Sequence, residues 1–179
     1  MKRSNRLREW VEIIVVALVV ALLIENYIFG FAVVQGSSME PTIKNNDRLL
    51  VIKFAYNNKE PQVGDLVIFT PPGNHKKGEL FVKRIVAKEE EHFALREGIL
   101  HINDEVVEED YVRSEEYIQR VYPFVQGIVP KNSVFVMGDN RNDSNDSRNF
   151  GFIEEKQIKG KVVLRVWPLN EITAFVGKN

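Results

Sequence analysis

Two adjacent serines, Ser37 and Ser38, stand in the stretch VVQGSSMEPT at residues 33–42, a few residues beyond a very apolar run. Gly36 and Pro41 favour a turn here. A serine hydroxyl in such a turn can act as a nucleophile if a neighbouring base accepts its proton. The chain has no cysteine, which excludes thiolate catalysis, disulfides and thiolate metal sites. The chemistry open to this chain therefore depends on which base serves the serine.

Histidine is the common base for a serine nucleophile, and the chain has three histidines. His75 lies in the polar loop PGNHKKG, His92 follows three glutamates, and His101 alternates with isoleucine in a predicted hairpin. Nothing in these local patterns favours a base, although folding could bring any of the three to the serines. A Ser-His-Asp triad is therefore the weaker interpretation.

Lys83 is the stronger candidate for the base, because of its place in ELFVKRIVAKE at residues 79–89. Alternate side chains of a strand share a face, so Lys83 lies in one row with Phe81, Ile85 and Ala87. Burial on an apolar face disfavours the charged amine, and a base near neutral pH needs its pKa lowered from about 10.4 to about 7–8. The alternative is an edge strand whose long cations extend to water.

The segments that must position these residues are typical of short β-strands. Runs rich in Val, Ile, Leu and Phe predict seven strands, at residues 48–54, 65–70, 80–87, 92–96, 99–102, 133–137 and 161–167. Turns rich in Gly, Pro, Asn and Asp separate them, and no run predicts an amphipathic helix. We expect a mainly β domain, a barrel or sandwich. Residues 105–130 are acidic and irregular, and we expect a small excursion from the core there.

The N-terminus predicts a membrane anchor. Four basic residues precede an unbroken apolar run at residues 13–24, and residues 10–31 supply the roughly 20 mostly apolar positions that a span requires. A cleaved secretory signal is the alternative, but the bulky sequence LLIENYIFGF offers no small-residue cleavage site. We expect a cytoplasmic tail at residues 1–9, an uncleaved anchor at 10–31 and an extracytoplasmic β-rich domain at 32–179.

Motifs spread over nearly the whole chain make the sequence similar to bacterial type I signal peptidases, the leader peptidase family of membrane-anchored serine proteases with a Ser-Lys dyad. The motifs are SMEPT at residues 38–42, GDLVIF at 64–69, VKRIV at 82–86 and GDNRNDSNDSRNFGF at 138–152, after the anchor. The resemblance implies a β-barrel or sandwich-like catalytic domain of the signal peptidase type. It implies neither cofactor nor metal.

The resemblance also implies roles for single residues. Ser38 falls on the nucleophile and Lys83 on the general base, while Ser144 matches a serine whose hydroxyl holds the lysine amine in position. Some members carry an oxyanion-binding serine two residues before the nucleophile, where this chain has Gly36. The oxyanion then depends on backbone N–H groups, starting with that of Ser38.

Around the dyad, the resemblance implies a supporting framework and a substrate pocket. Asp146 and Arg148 match a structural ion pair. The surrounding framework is matched by Arg84, Asp139 and Arg141. Val34 and Val82 fall where the family builds pockets for small residues, typically alanine, at the first and third positions before the cut; a plain core role is their alternative. The implied partners are secretory preproteins and the lipid bilayer.

Three other functions have to be weighed against this one. Alternating Asp and Asn in DNRNDSNDSR resemble a calcium loop, which the family resemblance disfavours. Self-cleaving repressors of the SOS response share the Ser-Lys chemistry, but they carry a DNA-binding domain, and this chain has a formal net charge of −1 and no basic recognition helix. A non-catalytic anchored binding module would require Ser38 and Lys83 to be incidental.

Overall fold

The computed structural model describes residues 2–73, 78–112 and 121–175, and within its first helix the side chains of residues 2–5, 7 and 23–26 are outside the described set. His75 is outside the described residues. The described chain is mainly β, which confirms the predicted fold class. One long helix, α1 (Lys2–Tyr27), precedes the strands, and a one-turn helix, α2 (Ser147–Phe150), lies near the C-terminal third.

The strands form two antiparallel sheets. Those of the larger sheet are, in spatial order, β1 (Phe29–Val33), β2 (Arg48–Ile52), β11 (Ile158–Trp167), β3 (Leu66–Phe69), β4 (Phe81–Ala87), β9 (Ser133–Met137) and β10 (Ile153–Glu154), with β12 (Thr173–Ala174) paired to β11. Those of the smaller sheet are β7 (Glu105–Val106), β6 (Ile99–Ile102), β5 (His92–Arg96) and β8 (Gln126–Ile128). Register shifts in β4 and β11 bend the larger sheet.

Each of the seven predicted strands corresponds to a strand of the structure: β2, β3, β4, β5, β6, β9 and β11. The strands that were not predicted are β1, which overlaps the end of the predicted anchor, and four strands of two or three residues. A strand of two residues has no alternation to detect, because the pattern needs several positions to repeat. Such short strands form only by hydrogen bonding to a longer neighbouring strand, which the sequence pattern does not reveal.

The ends of the segment expected to leave the core belong to the smaller sheet. Strand β7 pairs with β6, and β8 pairs with β5. Just beyond β8, Val129 is buried in an apolar cluster with Phe93 and Phe135, whose rings stack with centroids 4.0 Å apart. Residues 113–120, in the middle of the segment, are outside the described residues. The described flanks of the excursion are thus anchored to the core on both sides.

Strands β3 and β9 are the most deeply buried, with every residue enclosed. Strand β4 pairs with β3 along residues 81–84 and with β9 from Arg84 onward. The two faces of this central part pack against different apolar clusters, one containing Val34, Leu49 and Leu66 and another containing Phe69 and Ile85. Residue 83 is therefore held by a rigid strand at the centre of the larger sheet.

The predicted anchor is divided between two elements of the structure. Helix α1 ends at Tyr27, and residues 29–31 of the predicted span lie in β1, which pairs with β2. Among the side chains that the structure describes, no helix is both long and apolar enough to cross a membrane. Residues 23–26, within the predicted span, are outside that set.

Candidate active site

Ser38 follows β1 in a compact turn. The turn is closed by backbone hydrogen bonds from Val34 N–H to Asp47 O at 2.9 Å and from Ile43 N–H to Met39 O at 2.9 Å. Met39 and Ile43 are almost fully buried in the cluster beneath the turn. The Ser38 side chain is only half-buried. The residue after the serine thus anchors the turn, while the hydroxyl faces an open groove.

Lys83 reaches Ser38 from the central strand. Its Nζ donates hydrogen bonds to Ser38 Oγ at 2.6 Å and to Val82 O at 3.0 Å, and it lies 5.4 Å from the centroid of the Phe81 ring. The residue is only 3% exposed. Two residues that are 45 positions apart in the chain, Ser38 and Lys83, are therefore in direct contact.

Burial of the amine lowers the pKa of Lys83 to about 8. Desolvation is the largest cause, because the charged ammonium loses more hydration than the neutral amine. The carboxylates of Asp146, Asp139 and Asp143 oppose this by attracting the ammonium, while Arg148 adds to it. A substantial fraction of the amine is therefore neutral near pH 8, as a proton acceptor requires.

The turn at residues 138–141 packs directly against the backbone of Ser38. Asn140 N–H donates to Ser38 O at 3.1 Å, and Asn140 Nδ2 donates to Ser37 O at 3.2 Å. A Cβ at Gly138 would lie 2.4 Å from Ser38 O and 2.3 Å from Ser144 Oγ. Only glycine permits this approach, so Gly138 sets how closely the two segments meet.

Ser144 lies beside Gly138, next to the dyad, but its hydroxyl does not bond the lysine. Its Oγ is buried and makes no hydrogen bond to any described residue. Because a buried hydroxyl without a partner is costly, a rotation of this side chain would be favoured if it brought the oxygen to a donor. The role of Ser144 in holding the amine stays a prediction.

The predicted ion pair beside the site is fully enclosed. Asp146 accepts from Arg148 Nε and Nη2, both at 2.8 Å, and each side chain is 0% exposed. Asp146 also caps α2 and accepts from Gly138 N–H at 3.0 Å. The pair therefore ties the one-turn helix to the backbone at Gly138.

A second pair joins the neighbour of Lys83 to the same turn. Arg84 Nε and Nη2 donate to Asp139 at 2.9 and 2.7 Å, and Arg84 Nη1 donates to Gly64 O at 3.1 Å. Bidentate pairing of this kind fixes orientation as well as charge. The predicted framework residues Arg84, Asp139 and Arg141 are all brought to this turn.

Two contacts near the dyad were missed by sequence reasoning. Ser37 Oγ donates to the Asp143 carboxylate, which joins the nucleophile's turn to the loop that carries Ser144. Glu109, from the acidic excursion, pairs with Arg141. No periodicity signals either contact, because both depend on how distant segments meet.

An open groove of about 510 Å³ runs past Ser38 and Lys83. Both predicted pocket residues line it, Val34 from the end of β1 and Val82 from β4, together with Ile68. The Val34 side chain is buried, while that of Val82 is partly buried. Because β9 pairs with β4 only from Arg84 onward, the edge of residues 81–83 faces this groove.

The alternative bases and the calcium interpretation find no support in the described residues. His92 and His101 lie on β5 and β6 of the smaller sheet and do not line the groove. In the part of the chain that the structure describes, no group of three or more His, Asp or Glu side chains is placed to hold a metal ion. Asp139 and Asp146 are instead paired with arginines.

Comparison with known proteins identifies the family. The family model described as "Signal peptidase, peptidase S26" matches residues 7–167. The chain belongs to this family. Its members are serine endopeptidases that cleave signal peptides from secretory preproteins, and this chain is a signal peptidase.

Individual relatives are similar over most of their length. "Probable signal peptidase I-1" of Synechocystis sp. is 36% identical, with 90% of this chain and 83% of that protein covered. "Signal peptidase I" of Bacillus licheniformis is 34% identical, with 95% and 94% covered. A crystal structure of a signal peptidase I from Enterococcus faecalis aligns with a TM-score of 0.49 and 33% identity, over 57% of this chain and 97% of that one.

Replacing the buried amine should stabilise the peptidase. A folded-state pKa of about 8 against 10.5 for the free side chain corresponds to a cost of about 3 kcal/mol at pH 7, because each pKa unit is worth about 1.4 kcal/mol. Lys83→Met fills the same space without this cost. We expect the variant to exceed the wild type by about 1–3 kcal/mol in urea unfolding of the full chain at pH 7.

The advantage should shrink with rising pH. Between pH 8 and 10.5 the unfolded chain binds more protons than the folded one, so wild-type stability rises with pH. Lys159→Met, at an exposed position of β11, is the control and should show no such trend. Equal stability of Lys83→Met and wild type at pH 7 would contradict the assignment of a desolvated amine.

Proposed function

We propose that this signal peptidase cuts through a Ser-Lys dyad, with Ser38 as the nucleophile and Lys83 as the general base. The observation that carries the proposal is the contact of 2.6 Å between Ser38 Oγ and the Nζ of Lys83, a residue that is only 3% exposed. The pKa of Lys83 supports the proposal. An amine with a pKa lowered to about 8 can accept the proton of a hydroxyl that it already touches.

The reaction then proceeds as an acyl transfer in two stages. Neutral Lys83 takes the Ser38 proton while Oγ attacks the carbonyl carbon of the last signal-peptide residue. The lysine ammonium gives that proton to the leaving amine of the mature protein, and an ester remains on Ser38. Lys83, neutral again, activates a water that hydrolyses the ester and releases the signal peptide.

The oxyanion is assigned to the Ser38 backbone N–H. Gly36 has no hydroxyl to offer, and its own N–H already donates to Asn45 Oδ1 at 3.0 Å. Gly36 also has a φ of +99°, which a serine would adopt only with strain. A second donor therefore has to come from another group of the groove or from water.

Removing the neutral amine should abolish activity. Lys83→Arg keeps the charge but cannot be deprotonated near neutral pH. We expect it to be as inactive as Ser38→Ala in cleavage of a preprotein, whereas Lys88→Arg on the same segment should retain activity. For the wild type, kcat/KM should rise with pH through about 8, where Lys83 loses its proton. A folded Lys83→Arg enzyme that cuts at a near-native rate would exclude the dyad.

We propose that the substrate lies extended along the free edge of β4, with small side chains before the cut in the pocket of Val34 and Val82. Main-chain pairing would set the register of such a peptide. The support is the groove that these valines line next to Ser38. Small residues fit because the walls are formed by strands that cannot move apart cheaply.

The pocket predicts a defined change in specificity. Leu in place of Ala directly before the cut should lower kcat/KM by at least about tenfold, since overfilling a packed site costs about 1–3 kcal/mol. Val82→Ala should raise the ratio of Leu to Ala cleavage, measured by kcat/KM on paired preproteins. If the wild type accepts Leu as readily as Ala, the pocket lies elsewhere.

We propose that α1 anchors the enzyme in the cell membrane, with residues 1–9 in the cytoplasm and residues 32–179 on the extracytoplasmic face. The support is the basic sequence at the start of the helix and the exposed apolar side chains that follow along it, among them Ile13, Ile14 and Val16. Protease added to intact protoplasts should remove a C-terminal tag and spare an N-terminal one. The reverse pattern would contradict this orientation.

A further inference from the structure

Glu109 and Tyr111 belong to the acidic excursion, at a distance from the groove lining. Glu109 is nevertheless enclosed, with its side chain 9% exposed, and its partner Arg141 is 6% exposed. Glutamate is rarely buried unless it is paired. The Glu109 carboxylate is therefore expected to have a specific partner, and Arg141 is that partner.

The Glu109 carboxylate is engaged on both oxygens. Arg141 Nη1 donates to Oε2 at 2.8 Å and Arg141 Nη2 donates to Oε1 at 2.5 Å. The Tyr111 hydroxyl donates to Oε1 at 2.6 Å. This fork holds the Arg141 side chain in one orientation. Arg141 Nε in turn donates to Gly138 O at 3.1 Å.

Tyr111 also reaches the neighbour of Lys83. The Arg84 guanidinium carbon lies 3.9 Å from the centroid of the Tyr111 ring, a close cation–π contact. Arg84 pairs with Asp139, one residue after Gly138. The contacts form a closed ring that runs from Arg84 to Tyr111, Glu109, Arg141, Gly138 and Asp139 and returns to Arg84.

This ring holds the turn that touches the nucleophile. Gly138 packs against Ser38 O, and Asn140 N–H donates to the same oxygen. A shift of the turn would therefore be transmitted to Ser38, whose Oγ has to stay 2.6 Å from Lys83 Nζ. Reaction rates are sensitive to such shifts, because a misplacement of about 1 Å can cost about a hundredfold.

We infer that Glu109 and Tyr111 are positioning residues, which hold the turn at residues 138–141 against Ser38 through Arg141 and Arg84. The inference rests on the proposed dyad, because it is the Ser38–Lys83 contact that the turn keeps in place. It gives the acidic excursion a part in catalysis without contact to the substrate. A merely structural role would affect the stability of the fold and leave the kinetics of the folded enzyme unchanged.

The experiment compares Glu109→Gln and Tyr111→Phe with Glu108→Gln in the full-length enzyme. Glu108 is an exposed neighbour, so its variant removes the same charge without disturbing Arg141. A preprotein cleavage assay gives kcat and KM from pH 6 to 10, and thermal unfolding shows that each variant is folded at the assay temperature. Wild type and Ser38→Ala set the upper and lower limits of activity.

We expect Glu109→Gln to lower kcat by about tenfold or more while KM changes little, because the groove walls are untouched. Its rising pH limb should stay in place, because the charged groups that act on the pKa of Lys83 are Asp139, Asp143, Asp146 and Arg148, none of which is changed. Tyr111→Phe should lower kcat less and leave the pH limb in place. Glu108→Gln should match the wild type.

Each result decides the inference. If folded Glu109→Gln matches Glu108→Gln in kcat, the inference is overturned while the dyad stands. If Glu109→Gln does not fold, Tyr111→Phe decides, and an unchanged kcat in that variant overturns the inference. If Ser38→Ala still cleaves the preprotein, the proposed dyad itself fails and the positioning role fails with it.

Discussion

The proposed dyad depends on keeping one lysine amine out of water. A lysine on a solvated surface stays charged at neutral pH and cannot accept a proton. Lys83 lies on β4, where it pairs with the fully enclosed strand β3 on one side and borders the groove on the other. The residue is only 3% exposed, and this burial lowers its pKa to about 8.

Two segments of the chain meet next to the Lys83 amine, and single residues determine how closely they approach each other. Ser38 comes from the turn after β1, and the loop at residues 138–146 closes over it from β9. Gly138 permits the contact, and Met39 secures the turn from below. Since packed interiors transmit strain, side chains outside the groove can influence the distance between Ser38 and Lys83.

Much of the fold and the burial of Lys83 could be predicted from the sequence because they rest on local patterns, whereas the choice of Ser38 over Ser37 came from the family resemblance. Alternation along residues 80–87 put Lys83 in an apolar row, and the runs of β-branched residues marked seven strands. Strand β1 was missed because its apolar residues continue the pattern of the anchor. The contacts of Ser37 with Asp143 and of Glu109 with Arg141 join distant segments, so no local pattern reports them.

The charges around the Lys83 amine explain why its pKa is lowered by burial more than it is raised by the nearby carboxylates. Asp139 and Asp146 both favour the Lys83 ammonium and oppose desolvation. Unpaired at this depth, two carboxylates would hold the amine protonated. Each is instead bound by its own arginine, Asp139 by Arg84 and Asp146 by Arg148, through two hydrogen bonds.

Arg148 offsets part of the attraction that the acids exert on the Lys83 ammonium, and desolvation remains the largest influence on the pKa of Lys83. Glu109 binds Arg141 in a further buried ion pair. Asp139 and Asp146 thus lie near the amine as members of buried ion pairs. Lys83 is the buried group in contact with Ser38, and burial lowers its pKa to about 8.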